Sequence, residues 1–302
     1  MLRGLRSRPT VRVAAGLFVA GLFWLGYAFR VEPDRLVVAE YTIEVPGWPT
    51  AANGLRVAAV GDIHGGASFV DAAKIAEVVR RVNEAKPDLV IWLGDYVIQG
   101  VLGGTFMAPE EVAQRLAPAR GRLGAFAIIG NHDRWLDSAR VERAFVQAGI
   151  PFLRWSEARI PVADTALHLY GMDDFELSPG YWPKYRLTME EWLRIRPTEP
   201  LIVLSHNPDL FAYLPAHVNL MLASHTHGGQ VRLPWIGSPI VPSSLGQRYA
   251  RGLIVENGHP LFVNTGIGTS IIPVRFGVPP EISILTLRGD GKAPPAERRP
   301  DP

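Results

Sequence analysis

Five short polar clusters recur along this 302-residue chain, each directly after an apolar run: Gly61-Asp62-Ile63-His64, Gly94-Asp95, Gly130-Asn131-His132-Asp133, Ser205-His206 and Ser224-His225-Thr226-His227. Carboxylate, amide and imidazole groups are the side chains that bind borderline and hard divalent metals. Asp62 with His64, and His225 with His227, have i, i+2 spacing, which in extended chain aims both side chains to one face. The glycines that open three clusters permit sharp turns, leaving the polar side chains exposed beyond the strand ends. Taken singly each cluster is ordinary. A lone histidine at a strand end is usually a hydrogen-bonded structural residue, an aspartate after glycine is usually a turn residue, and Asn131 alone reads as a turn former. Five in succession point instead to one shared site with metal or acid–base chemistry.

The elements that must position these clusters are legible as apolar periodicity. Residues 55–60, 89–93 and 125–129 read as buried strands, and 71–85 and 110–116 read as amphipathic helices between them. That alternation is the pattern of an α/β sheet. In such sheets ligands gather beyond the carboxyl ends of the strands, where all five clusters fall. The second half reads as further strands at 168–172, 201–204, 218–223, 261–264 and 281–287, with fewer helices, and implies a second sheet packed on the first. The Pro-, Gly- and charge-rich tail, 289–302, is expected to be disordered.

Composition narrows the chemistry. Apolar residues form 47% of the chain and charged residues 20%, which suits a packed domain. The net charge of +2 and the missing basic stripe argue against a nucleic-acid partner. There is no cysteine, so disulfides, thiolate nucleophiles and cysteine-ligated zinc are excluded. No P-loop, nucleophile elbow or dinucleotide fingerprint is present.

At the N-terminus, Arg3, Arg6, Arg8 and Arg12 precede an uncharged run of seventeen residues, Val13 to Phe29, followed by Arg30. As a helix that run spans about 26 Å, close to the thickness of a hydrocarbon core. It reads as a single membrane anchor; a cleaved export signal ending after Ala28 and a buried N-terminal helix are the alternatives. Basic residues before the run, with Glu32 and Asp34 after it, predict a cytoplasmic N-terminus and a catalytic domain on the periplasmic side of the inner membrane.

The blocks GDIHGG, GDY, GNHD, SHNPD and SHTHGGQ resemble, in order, the motifs of the calcineurin-like metallophosphoesterase superfamily, over residues 55–287. Residues 266–269, 273–276 and 280–282 resemble its bacterial membrane-associated or exported branch, some of whose members are similar to UDP-2,3-diacylglucosamine hydrolases. The resemblance implies a four-layer αββα sandwich: two mixed β-sheets flanked by helices, after one N-terminal transmembrane helix. The expected organisation is a stub and anchor at 1–36, a catalytic domain at 37–288 and the tail at 289–302. It also implies two divalent ions, one held by Asp62, His64, Asp95 and His227, and a second by Asn131, His206 and His225, with Asp95 bridging. This donor set suits Mn²⁺, Fe or Zn²⁺, with Mn²⁺ preferred. Such a pair clamps phosphoryl oxygens and acidifies the attacking water.

His132 becomes the expected general acid, with a supporting hydrogen-bond role as the alternative. In the phosphoprotein phosphatases an aspartate three residues beyond the bridging one supports this histidine; here that place is Ile98. Ser224 stands where many relatives have glycine.

The expected reaction is hydrolysis of a phosphate ester or pyrophosphate, lipid- or nucleotide-linked, at the membrane. A cyclic-nucleotide phosphodiesterase or nuclease is the alternative within hydrolases, and a non-catalytic envelope scaffold the alternative outside them. Arg134, Arg232, Arg248, Arg251 and Arg275 each read as solvated surface, with a phosphate contact as the alternative, Arg134 and Arg275 being the better candidates by closeness to the motifs. His168, His217 and His259 read as structural or surface residues. The apolar stretch Trp235-Ile236 and Pro239 to Pro242 reads either as a loop covering the sheet or as a bilayer or acyl-chain contact.

Overall fold

A computed structural model describes residues 8–173, 199–215 and 217–289. Strands that must be apolar on both sides dominate the centre. β2 (Leu55–Val60) and β3 (Leu89–Trp92) alternate their side chains between two cores. Val57, Ala59, Leu89 and Ile91 face the space between two sheets, whereas Ala58, Val60, Val90 and Trp92 face helices. This alternation follows from the two-residue repeat of extended chain and explains the near-continuous apolar runs in the sequence.

With α1 set at Arg8–Arg30, the first sheet has the order β1-β11-β2-β3-β4, adding β1 (Val37–Val45), β4 (Ala125–Ala127) and β11 (Glu281–Gly289). β2, β3 and β4 pair in parallel, and β11 is parallel to β1 but antiparallel to β2. The second sheet has the order β5-β6-β7-β8-β10-β9: β5 (Ser156–Val162), β6 (Thr165–Gly171), β7 (Leu201–Leu204), β8 (Leu220–Ala223), β9 (Gly252–Glu256) and β10 (His259–Val263). Both sheets are mixed, and their inner faces meet through Ile43, Val57, Leu89, Leu169, Ile202, Leu222 and Phe262. α2 (Ala72–Glu84), α3 (Pro109–Leu116) and α4 (Asn131–Gln147) cover the outer face of the first sheet. Among the described residues, 3₁₀ turns at Pro208–Tyr213 and Gly246–Tyr249 lie over the outer face of the second.

Local chemistry sets the helix ends. Asp71 caps α2 by accepting from the Lys74 amide at 2.8 Å. α4 starts on the Gly130 turn, where Asp133 accepts from the Gly130 amide at 3.0 Å. α4 then breaks at Asp137, whose backbone is extended and whose carboxylate accepts from the Arg140 amide at 3.0 Å, capping the second half.

The first-half strands and helices expected from periodicity are present, with the strand expected at 125–129 ending at Ala127. The reading missed α4, because its first residues belong to a polar cluster and its apolar stripe is weak. It also missed the edge strands β5, whose exposed positions include Glu157 and Arg159, and β9, a five-residue strand with Leu253 and Val255 exposed. The expected tail lies outside the described residues except Gly289, which closes β11.

Candidate metal centre

Each polar cluster sits where a strand ends, so the strand order determines which side chains meet. β2 delivers Asp62 and His64, β3 delivers Asp95, β4 leads to Asn131 and His132, β7 delivers His206, and β8 delivers His225 and His227. β2, β3 and β4 adjoin in one sheet and β7 and β8 in the other, and the two sheets are packed face to face. All eight candidate residues are thereby brought together. Asp62, His64 and His227 form one group whose ligand atoms lie within 4.8 Å of one another; Asp95, His206 and His225 form a second, and His64, Asp95 and His132 a third. Asn131, the first residue of α4, is buried beside them, and its Oδ1 has no hydrogen-bond partner.

The donor atoms face one another in a way that protein groups alone do not satisfy. His64 Nδ1 lies 3.3 Å from the Val97 carbonyl and His206 Nδ1 lies 2.7 Å from that of Leu93. A carbonyl can only accept, so each Nδ1 carries the proton and each Nε2 presents a lone pair. Those lone pairs point inward: His64 Nε2 is 3.2 Å from His227 Nε2, and Asp62 Oδ1 is 3.5 Å from His227 Nε2. Asp95 Oδ2 is 3.1 Å from His206 Nε2 and 3.8 Å from His64 Nε2. Buried Asp62 Oδ1 has no hydrogen-bond partner. Converging acceptors without donors are the arrangement a cation neutralises, so the residues fit a metal centre.

Burial acts on the same groups. It holds the imidazole of His64 down to about 3, with the neighbouring His132 and His206 adding to the effect against the pull of Asp95. His227 is likewise pushed well below the ordinary histidine range by burial and by His64. These rings are therefore neutral at pH 7 and free to act as ligands. Burial raises the Asp62 carboxyl to about 6, with Asp95 adding to the rise against His206. For Asp95 burial is opposed and outweighed by His206, His64 and His132, which hold it below the usual carboxylate range.

The backbone at the site is strained. Asp62, His64, Asp95, His225 and His227 all have positive φ, between 46° and 73°. Left-handed geometry costs a non-glycine residue on the order of 1 kcal/mol and persists where the surroundings enforce it, commonly at functional sites. Two glycines allow the close approach: a Cβ on Gly266 would fall 2.5 Å from that of Asp62, and one on Gly268 would fall 2.7 Å from that of His64.

Four supporting residues were beyond or against the sequence reading. Asp133, adjacent to His132, does not support it; its carboxylate accepts the backbone amides of Asp95, Tyr96, Val97 and Gly130. Ser224 has no positive φ, and its hydroxyl donates to Asp62. Asn264 Oδ1 accepts from the Gly61 and Gly266 amides, tying β10 to the Asp62 turn. Arg275, read as solvated surface or a phosphate contact, is instead fully buried and donates to the carbonyls of Thr265, Gly266, Gly268 and Val278. Ser224, Asp133 and Arg275 carried a signal, their place inside a motif block; Asn264 did not.

His132 donates its amide to Asp95 Oδ1 at 2.9 Å, and its ring lies 5.0 Å from that of His64 and 4.7 Å from that of Trp135. Ile98, where the phosphoprotein phosphatases carry an aspartate, is a core residue, and His132 Nδ1 has no hydrogen-bond partner. His168 lies outside the site, 2.8 Å from Glu199, and His259 Nδ1 lies 3.2 Å from the Val218 carbonyl. Arg248 pairs with Glu256 at 2.6 Å.

Residues 55–229 match the model of the calcineurin-like phosphoesterase family, a span that holds all eight site residues. The chain belongs to that family. It is 30% identical over 279 residues to YkuE of Bacillus subtilis, an uncharacterised metallophosphoesterase, covering 91% of this chain and 93% of that one. It is 26% identical over 318 residues to the UDP-2,3-diacylglucosamine pyrophosphatase LpxG of Chlamydia trachomatis, covering 87% and 92%. Against the phosphodiesterase YaeI of Escherichia coli the identity is 29% over 288 residues, covering 93% and 99%. The chain is therefore a metallophosphoesterase, a hydrolase of phosphoric ester or anhydride bonds.

Proposed function

We propose that this metallophosphoesterase is a binuclear phosphodiesterase or pyrophosphatase working at a membrane. In this reading Asp62, His64, Asp95 and His227 would hold one divalent ion, and Asp95, Asn131, His206 and His225 the other; the mixed oxygen and imidazole donors suit Mn²⁺, Fe or Zn²⁺, and Mn²⁺ is the proposed ion. Asp95 would serve both ions, a role supported by its Oδ2 lying 3.1 Å from His206 Nε2 and 3.8 Å from His64 Nε2. The observation that carries the proposal is this convergence of acceptors from both sheets. When bound, the ions supply Lewis acidity that activates water and offsets charge on the phosphoryl oxygens.

The chain's own residues do the rest. Val97, Leu93, Ser224 and the His225 amide orient the ligands through hydrogen bonds. His132, held by its amide on Asp95, gives its proton to the departing oxygen.

The domain is taken as 37–288, carried on α1. α1 is 23 residues, about 35 Å long, and only 6% of its apolar window is buried in the protein. Such a helix is long and apolar enough to cross a bilayer. The Ala28 carbonyl accepts from the Arg275 amide at 3.0 Å, which favours an uncleaved anchor over a signal ending there. Flanking arginines favour an inner-membrane protein with a periplasmic catalytic domain. The proposed substrate is a lipid- or nucleotide-linked phosphodiester or pyrophosphate, UDP-2,3-diacylglucosamine being the example LpxG suggests.

The test is hydrolysis of bis(p-nitrophenyl) phosphate and p-nitrophenyl phosphate by the full chain with Mn²⁺, after chelation, and as Asp95→Asn. Metal-dependent turnover that favours the diester and disappears in the variant is expected. Turnover that survives chelation overturns the proposal.

A further inference from the structure

The catalytic domain carries a strip of apolar side chains that cover nothing, beside the point where α1 joins it. Trp235 is fully exposed, Ile240 is 81% and Ile271 76% exposed, and Ile236 and Leu102 also lie in solvent. Scattered apolar residues on a surface are ordinary, but a contiguous group is not. Backbone hydrogen bonds join the loops that carry it: Leu102 donates to Ile271 at 3.3 Å, and Arg232 to Phe276 at 2.7 Å. The Gln230 side chain donates to the Ser270 carbonyl at 3.2 Å, linking the 230 and 270 loops. Leu233 and Gly237 exchange hydrogen bonds of 2.8 and 3.0 Å across a tight turn. That turn lifts Trp235 to its tip at φ 63°, a conformation a bulky residue rarely takes.

Two observations say what faces this strip. The last turn of α1 packs on the same loops, with Ala28 accepting from the Arg275 amide at 3.0 Å and the edge of Trp24 lying 5.7 Å from Phe276. The loops also lead directly to the metal centre. Ile271 is three residues beyond Gly268, which abuts His64, and so no more than about 11 Å of chain away.

We propose that Trp235, Ile236, Ile240, Ile271 and Leu102 insert into the bilayer that α1 crosses, a second membrane contact that turns the metal centre toward the headgroups. The substrate class is then an amphipathic lipid whose phosphodiester or pyrophosphate is reached at the bilayer surface, rather than a free nucleotide. A tryptophan at a loop tip among aliphatic residues suits the membrane–water boundary. Nearby Arg232 and Arg251 suit anionic headgroups. The inference rests on α1 being a membrane anchor.

The absence of cysteine from the chain makes single-cysteine labelling clean. Full-length Trp235→Cys, Ile271→Cys, Leu22→Cys in α1 and Val146→Cys in α4 would each carry an environment-sensitive fluorophore. Each would be reconstituted in phosphatidylcholine–phosphatidylglycerol vesicles containing a lipid with a spin-label quencher on its acyl chain. Quenching at 22, 235 and 271 several-fold above that at 146 is expected. Quenching at 22 alone overturns the inserted strip while leaving the anchor standing. No quenching at 22 overturns the anchor and the strip with it.

Discussion

Asp95 gives one carboxylate oxygen to the His132 amide and turns the other toward His206 and His64, so both halves of the centre hang on one side chain. Its neighbours follow a division of labour that substitutions can separate. If His132 protonates the departing oxygen, His132→Ala should cost about 10² to 10⁴ in rate with a poor leaving group such as an alkoxide. It should cost far less with p-nitrophenolate, which leaves without help; rates across diesters of graded leaving-group acidity check this. Ser224 reaches the site through Asp62, so Ser224→Ala should leave the fold intact and weaken metal binding by about tenfold or more, read by titration of the chelated protein. The eight principal residues were legible in the sequence because each sits in a motif at a strand end. Asn264 was not, since its contacts to Gly61 and Gly266 join segments far apart in the chain.

Strand ends and the first turn of a helix bear the positioning load. The Asp133 carboxylate gathers four backbone amides from the Asp95 turn and the start of α4. Asp133→Asn would set an amide NH₂ against those donors, and a loss of about 1–3 kcal/mol is expected in urea unfolding. Arg275 performs the matching task for the 265–278 loop. Burial lowers its guanidinium to about 10, against the pull of Asp62, Glu32 and Glu281, so it stays charged while it serves four carbonyls. Arg275→Leu strands those carbonyls and should unfold the chain at lower urea and reduce turnover together. Neither role was visible in the sequence, where Arg275 read as solvated surface or a phosphate contact and Asp133 as a neighbour of His132. Backbone satisfaction across distant loops leaves no periodic trace. α4 escaped notice for a related reason: its first turn is spent on Asn131, His132 and Asp133, and its second half restarts at Asp137.

The two-sheet architecture was legible from the count and apolarity of the strands, but its closure was not. β1 pairs in parallel with β11 across nearly the whole catalytic chain, Val37 opposite Glu281, a long-range choice that local pattern does not encode. Bringing the centre together also buries neutral imidazoles, and this has a consequence for stability. In the chelated protein the unfolded histidines take up protons below about pH 6.5, while folded His64 resists until about 3 and His227 resists likewise. The unfolded state then binds more protons, so stability falls as pH drops through that window. Asp62, raised to about 6 by burial, and Asp133, raised to about 8 by burial, work in the opposite direction, two carboxyls against the several buried histidines. Thermal melts of the chelated chain between pH 7 and 4 should show a falling Tm. A Tm rising toward acid would contradict neutral buried histidines. The claim on which the rest depends is that this one cluster holds two ions, and elemental analysis of the Mn²⁺-loaded, desalted full chain measures it directly. Two equivalents per chain are expected in the wild type, with a marked loss in Asp95→Asn. A wild-type value of one or none, in folded protein, would contradict the binuclear centre.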